Sequence, residues 1–323
     1  TRFVQYQWFN ELNTGVFSID NDGQTLPTGT ITYGTNSATP QYHGNHVTGT
    51  AAGQHYGWAR EANIYNIAVT DPWPSGQQIG ALLIFDYLRA FHLYKPINPD
   101  TGKRNPTITN HSYGGVYKTE NEAPLTLADV TQIIWRGTTY NASSPGPSGW
   151  SEAGIEADFG MRFGRSSYPA YSSAVAADVQ DAIADGVVII GAAGNDNLLM
   201  AEVDDQDWNN RVSINGIGTI YYNRGAWPNT PDSGAINVGA LNKRQDFRRS
   251  TYTNFGPAVD VFAPGDNILS TFNSSGLADQ KYSAGNFFYP INGTSMASPQ
   301  VCGVIACLAS NKIRFTQEDA RGL

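Results

Sequence analysis

The sequence is poor in cysteine, in charge and in long apolar runs. Only two of its 323 residues are cysteines, and 15% are charged. Cys302 and Cys307 lie five positions apart in one apolar segment. On a helix this offset directs them to different sides, so we predict two small buried residues and no disulfide. No Cys/His spacing typical of zinc is present. No stretch reaches the roughly 18–20 apolar residues that span a bilayer, so a membrane is not a predicted partner.

Basic residues are also scarce, since 20 Lys and Arg face 28 Asp and Glu for a formal net charge of −8. A net acidic chain without a basic run argues against binding to nucleic acid. Apolar and aromatic residues are abundant, with a hydrophobic share of 40% and 17 tyrosines. That composition is sufficient for a packed core and is not typical of a disordered chain.

Both ends of the sequence are abrupt. The chain does not begin with Met, and it lacks the charged start and apolar centre of a signal peptide. At the other end, residues 315–321 begin a capped helix that stops at Leu323. We therefore expect a single domain over residues 1–323 that lacks an N-terminal segment and some C-terminal residues.

Predicted helices and strands alternate along the chain. Residues 187–190 form a continuous β-branched run directly after a predicted helix at 172–185, which is typical of a buried parallel strand. Further strands are predicted at 63–69, 107–112, 235–240 and 259–263, and further helices at 79–91 and 295–308. The alternation predicts a three-layer α/β fold, a mostly parallel open sheet with helices on both faces. Residues 116–168, rich in Ser, Gly, Thr and Pro, are predicted to be a surface insertion.

Three motifs stand out: HGNHVTGTAAG at 43–53, GAAGND at 191–196 and NGTSMASP at 292–299. In content, order and rough separation they resemble the motifs of the subtilisin-like serine peptidases, with Asn45 in place of the usual Thr. Segments at 110–115, 235–240, 254–257 and 263–265 are similar as well, so the resemblance covers about residues 43–310. It implies a subtilisin-like fold, a serine endopeptidase with polypeptide substrates, no required cofactor, and an extracellular or virion-associated location.

The residues of these motifs suit nucleophilic catalysis. A serine hydroxyl is a poor nucleophile until a neighbouring imidazole takes its proton. Ser295 opens a predicted apolar helix, whose first N–H groups are unpaired, and the Asn195 amide could donate to the same developing oxyanion. The resemblance assigns the general base to His43 and a buried structural role to His46. Without the motifs, Ser295 would be interpreted as a helix cap and Asn195 as a turn residue. His43 and His46 would be interpreted as core histidines.

The resemblance also implies a pocket for the P1 side chain, which precedes the cleaved bond. Its walls would be Ser112, Tyr113, Gly114 and Gly115 on one side, and Ala192, Ala193 and Gly194 on the other. Apart from Tyr113 these side chains are small, and none is charged. We therefore expect apolar or aromatic P1 residues.

The carboxylate that would orient His43 is not evident. In this family the triad order is Asp, His, Ser, and only three acids precede His43. Asp20 lies 23 positions before it, closer than the family spacing leads us to expect. Residues 2–9 resemble the strand that follows the first catalytic loop of large phage-type subtilases, so we favour an Asp upstream of Thr1. Asp20 as a stand-in and a degenerate enzyme without the acid are the alternatives.

Two further alternatives concern calcium binding and the role of the protein. The acidic loop at 201–207 could hold structural calcium, since hard cations prefer several carboxylates, or it could be a solvated loop. The chain could also be a structural virion or coat component built on a peptidase fold, because fold does not fix function. The predicted insertion, the phage-type resemblance and the high Tyr, Asn and Gly content favour that role.

Overall fold

The computed structural model describes residues 3–5, 42–67, 80–244, 246–272, 280–283 and 286–323. Its α-helices are α1 (His43–Ala52), α2 (Ala81–Tyr94), α3 (Glu152–Phe159), α4 (Ser173–Ala184), α5 (Thr294–Ala309) and α6 (Gln317–Arg321). Its strands are β1 (Phe3–Gln5), β2 (Ile64–Asn66), β3 (Thr107–His111), β4 (Val116–Lys118), β5 (Val130–Trp135), β6 (Thr138–Tyr140), β7 (Ser167–Pro169), β8 (Val187–Ala192), β9 (Arg211–Ile214), β10 (Gly218–Tyr221), β11 (Ile236–Leu241), β12 (Val261–Pro264), β13 (Ile268–Phe272), β14 (Gln280–Ser283) and β15 (Asn286–Ile291). Short 3₁₀ helices lie at Glu120–Glu122, Leu127–Asp129 and Pro231–Ser233.

The central sheet has the strand order β12-β11-β8-β3, and every neighbouring pair is parallel. Side chains alternate across a strand, so the residues of β8 face two layers. Val187 and Ile189 pack in one cluster with α2 and α4, whereas Val188 and Ile190 pack in another with α5 and α6. The predicted three-layer α/β fold is confirmed, and burial on both faces explains the continuous β-branched run.

The helices of this sheet begin and end within a few residues of the predicted bounds. Ser172 caps α4 by accepting a hydrogen bond from the Val175 N–H. Gly186 follows that helix with a φ of +103°, a conformation that favours glycine. The strand predicted at 63–69 is present as β2, and its last two residues lie outside the described part of the chain.

A second sheet is antiparallel, has the order β10-β9-β5-β6, and packs around a core of its own. Ile133 of β5, Ile155 of α3 and Met161 are fully buried in that core. Residues 116–168 supply β4 to β7 and α3, while β9 and β10 extend the sheet beyond that range. The region thus contains packed structure as well as polar turns, and its boundaries as an insertion stay a prediction.

Helix α1 packs against both α5 and β13. A Cβ added to Gly303 of α5 would lie 2.5 Å from the Ala51 carbonyl oxygen of α1, so the glycine permits this close approach. The third sheet, β13-β15-β14, is antiparallel and continues directly into α5. Among the described residues, no helix combines the length and the apolar character that crossing a bilayer requires.

The two cysteines are both free, as predicted, but only Cys302 is buried. The prediction that both are buried is wrong for Cys307, which is exposed. The five-residue offset explains the difference, because it turns Cys302 toward the sheet and Cys307 to another side of α5.

Candidate active site

The histidine motif is held by its second histidine. His46 is fully buried, and its Nε2 lies 2.9 Å from the Ile268 carbonyl oxygen and 3.0 Å from that of Tyr289. Two carbonyl acceptors require that Nε2 carries the proton. Burial lowers the pKa of His46 to about 4. The structure therefore shows His46 as a neutral side chain that ties the first turn of α1 to β13 and β15.

His43 is the first residue of α1, one helical turn before His46, and it is exposed. Partial desolvation lowers its pKa below the ordinary 6.5, so the imidazole is neutral at neutral pH and able to accept a proton. Because β15 runs through Gly293 into α5, the contact of His46 with Tyr289 places the start of α1 beside the segment that leads to Ser295. Within the described part of the chain, no hydrogen bond joins the His43 and Ser295 side chains.

Ser295 lies in the first turn of the 16-residue helix α5 and exchanges hydrogen bonds with Ser112. The Ser295 hydroxyl donates to the Ser112 carbonyl oxygen at 3.2 Å, and the Ser112 hydroxyl donates to the Ser295 carbonyl oxygen at 2.9 Å. The second bond has a clear cause: Pro299 has no N–H to donate to the carbonyl four residues before it. The Ser112 hydroxyl replaces that missing donor and fixes the end of β3 to the start of α5.

Two nitrogen donors lie close to one point beside Ser295. The Asn195 Oδ1 accepts hydrogen bonds from the Thr294 N–H and the Thr294 hydroxyl, both at 2.9 Å, which leaves Nδ2 turned away. A Cβ added to Gly293 would lie 3.6 Å from the Ser295 nitrogen and 3.7 Å from Asn195 Nδ2. Gly293 leaves that space empty, and its φ of +149° also favours glycine. An oxyanion there would face two donors at the positive end of α5.

The turn that carries Asn195 is braced by Asn254, a residue that the sequence reasoning did not single out. Asn254 is 1% exposed. Its Oδ1 accepts from the Asp196 and Leu198 N–H groups at 3.0 Å each, and its Nδ2 donates to the Ala193 carbonyl oxygen at 2.8 Å. One amide thus holds the backbone on both sides of Asn195. The motif at 254–257 contained this asparagine, but nothing in the sequence indicated its contacts.

The predicted pocket walls lie where β3 and β8 end. Gly114 is exposed and Gly115 is buried. A Cβ on Gly115 would lie 1.9 Å from Trp227 Nε1, so the indole rests directly against this glycine. On the other wall, Ala193 is buried, and the Gly194 N–H points to the Thr294 hydroxyl at 3.3 Å. Trp227 was not predicted as a neighbour of the site, because an isolated Trp before a Pro carries no such signal.

Tyr113 differs from the other wall residues. Its hydroxyl lies 3.0 Å from His111 Nδ1, and its ring packs with the cluster between α2, α4 and the sheet. His111 in turn stacks on Phe85 of α2. The side chain of Tyr113 therefore contacts the core, and its backbone is what continues the wall.

Two carboxylates of the described residues are engaged in ion pairs with arginine. Asp196, next to Asn195, pairs with Arg165, which comes from the predicted insertion. Farther away, Asp207 of the acidic loop receives Arg136 Nε at 2.8 Å and Nη2 at 3.0 Å. No group of three or more His, Cys, Asp or Glu side chains in the described ranges could hold a metal ion. Asp20, the weaker candidate for orienting His43, lies outside the described residues.

The chain belongs to the subtilase family of peptidases, whose family model matches residues 20–323. It is similar to Subtilisin-like protease 8 of Trichophyton verrucosum, with 26% identity over 93% of this chain and 44% of that protein. It is also similar to Subtilisin-like serine protease pepC of Aspergillus niger, with 28% identity over 89% of this chain and 37% of that protein. The chain thus spans less than half the length of these two curated relatives.

A solved structure, that of a cold-adapted subtilisin-like serine proteinase, matches 87% of this chain and 66% of that chain, with 23% identity and a TM-score of 0.49.

Proposed function

We propose that this protein is a serine endopeptidase that hydrolyses peptide bonds through an acyl-enzyme on Ser295. The Ser295 Oγ attacks the scissile carbonyl carbon while His43 accepts the hydroxyl proton, and the carbonyl oxygen becomes an oxyanion. His43 then returns the proton to the leaving amine, and a water molecule activated by the same imidazole releases the acid. Each step uses side chains of this chain and water, so the reaction needs no cofactor.

The observation that carries the proposal is the pair of nitrogen donors beside Ser295. Ser295 N and Asn195 Nδ2 lie within 3.7 Å of one unoccupied point next to the serine. Donors fixed in advance around a developing negative oxygen supply the largest single contribution to many acyl transfers. Thr294 adds to this, because its two hydrogen bonds to Asn195 Oδ1 determine which end of the amide faces the oxyanion.

The Ser295 hydroxyl must leave its present acceptor before it can donate its proton to His43. Its hydrogen bond to the Ser112 carbonyl oxygen is long at 3.2 Å, and rotation about Cα–Cβ would free the hydroxyl to donate to His43. The carboxylate that orients His43 would come from upstream of Thr1 or from Asp20. Polypeptides with apolar or aromatic P1 residues, encountered outside the cell, are the proposed substrates.

Peptide hydrolysis by the natural full-length protein tests the proposal. Ser295→Ala is expected to abolish turnover, and Asn195→Ala to lower kcat about 100–1,000-fold with little change in KM, because the lost bond exists only in the transition state. Ser298→Ala is the matched control: this buried serine lies one turn further along α5 and donates to Asn110 Oδ1. Full activity in Ser295→Ala would overturn the acyl-enzyme on Ser295, whereas no hydrolysis by the wild-type protein would overturn the proposal and leave a structural role as the alternative.

A further inference from the structure

Asn229 occupies an unusual position between the two predicted pocket walls. It is 2% exposed. Its Nδ2 lies 3.0 Å from the His111 carbonyl oxygen, 3.0 Å from that of Tyr113 and 3.2 Å from that of Ala192. The first two acceptors belong to the end of β3 and the third to the end of β8. One amide nitrogen therefore joins both walls.

This amide lies at the place where two strands of the central sheet stop pairing. Strands β3 and β8 pair in parallel up to His111 opposite Gly191. The pairing of the two strands ends there, and this fork lies at the carboxyl ends of the strands, the edge at which open α/β sheets bind ligands. The Asn229 side chain fills the base of the fork: a Cβ on Gly191 would lie 1.9 Å from its Oδ1.

An amide suits the three carbonyl oxygens that surround Asn229 Nδ2. Three carbonyl oxygens turned toward one point repel one another, and an uncharged amide offsets this repulsion by donating its two N–H hydrogens, which the three acceptors share. Among the described residues, Asn229 Oδ1 has no hydrogen-bond partner. The contacts of this side chain are therefore made by its donor end, which joins the two walls.

We propose that Asn229 is a positioning residue that sets the width of the P1 pocket and thereby the choice of P1 side chain. The inference rests on the proposed peptidase function and adds a residue that touches neither the reacting atoms nor the substrate. Loss of the donor lets the walls move apart. A looser pocket discriminates less between a large and a small P1 group.

The test compares kcat/KM for two peptides that differ only in Phe or Ala at P1. In Asn229→Ala the Phe-to-Ala ratio is expected to fall about 10-fold, the size of a modest pocket change. Asn210→Ala is the matched control, because Asn210 is also buried and its amide donates to Asp207 and Asn223, in loops next to the second sheet. The control is expected to keep the wild-type ratio even where its stability falls.

Asn229→Asp gives a readout that a merely structural role would not move. The introduced carboxyl donates a hydrogen bond when protonated and repels the carbonyls when ionised, and burial raises its pKa. The Phe-to-Ala ratio is therefore expected to recover toward the wild-type value as the pH is lowered. Titration of His43 cancels in this ratio, because it affects both peptides equally.

An unchanged ratio in every folded Asn229 variant, at all pH values, would overturn the inference while leaving the proposed function intact. Absence of any hydrolysis by the wild-type protein would overturn both. Asn229→Ser, which keeps one hydroxyl donor in a smaller volume, serves if the other variants do not fold, and its ratio is expected to lie between those of wild type and Asn229→Ala.

Discussion

Replacing Asn254 with aspartate is expected to slow turnover indirectly. Asn254 holds the backbone on both sides of Asn195, so the substitution would displace the Asn195 amide. The aspartate keeps the acceptor for the Asp196 and Leu198 N–H groups but loses the donor that reaches the Ala193 carbonyl oxygen at 2.8 Å. A buried acceptor left unpaired costs about 1–3 kcal/mol of stability. If displacement of the Asn195 amide raises the activation free energy by about 1.4 kcal/mol, kcat falls about 10-fold.

A double-mutant cycle measured by steady-state kinetics tests this reasoning. In the Asn195→Ala background, Asn254→Asp is expected to have almost no further effect on kcat, since the donor that it positions is already gone. Asn210→Asp provides the control for a buried asparagine changed in the same way, and kcat should be unaffected there. Equal loss of kcat in the two Asn195 backgrounds would refute the positioning role of Asn254.

Two further predictions concern pH. Desolvation lowers the pKa of His43, whereas the carboxylate proposed to orient it would raise that pKa. In a variant without this carboxylate the acid limb of kcat/KM is therefore expected below pH 6.5, and a midpoint above 6.5 in that variant would contradict the assignment of His43 as a partly desolvated base. His46 and His111 have pKa values of about 4 when folded against 6.5 in model peptides. Stability should therefore be fully present above pH 6.5 and decline as the pH falls toward 4, by about 3 kcal/mol for each histidine. Urea unfolding across this range measures the decline, and a flat profile would show that folding lowers the pKa of neither histidine.

The sheet was predictable because its signals are local. The run at 187–190 directly follows a helix capped by Ser172 and ended by Gly186, and both faces of that strand are buried. The three motifs were found through their resemblance to the subtilisin-like peptidases, and in the structure each stands at a strand end or a helix start, where backbone donors and side chains are available.

The bracing residues were not predictable, since their contacts span long sequence separations. Asn254 reaches Ala193 across 61 positions, and Asn229 reaches His111 across 118. An asparagine in a Gly- and Pro-rich segment is first interpreted as a turn former. The second sheet was missed for another reason: its strands are short and separated by polar turns, so composition alone indicated a surface region.

The most direct test of the central claim is the mass of the natural full-length protein after treatment with a fluorophosphonate. If Ser295 is a nucleophile activated by His43, a single adduct forms and peptide mapping places it on Ser295, with none on Ser298. The adduct should be absent in Ser295→Ala and strongly slowed in His43→Ala. An unlabelled wild-type protein, or an adduct that persists in Ser295→Ala, would contradict the account.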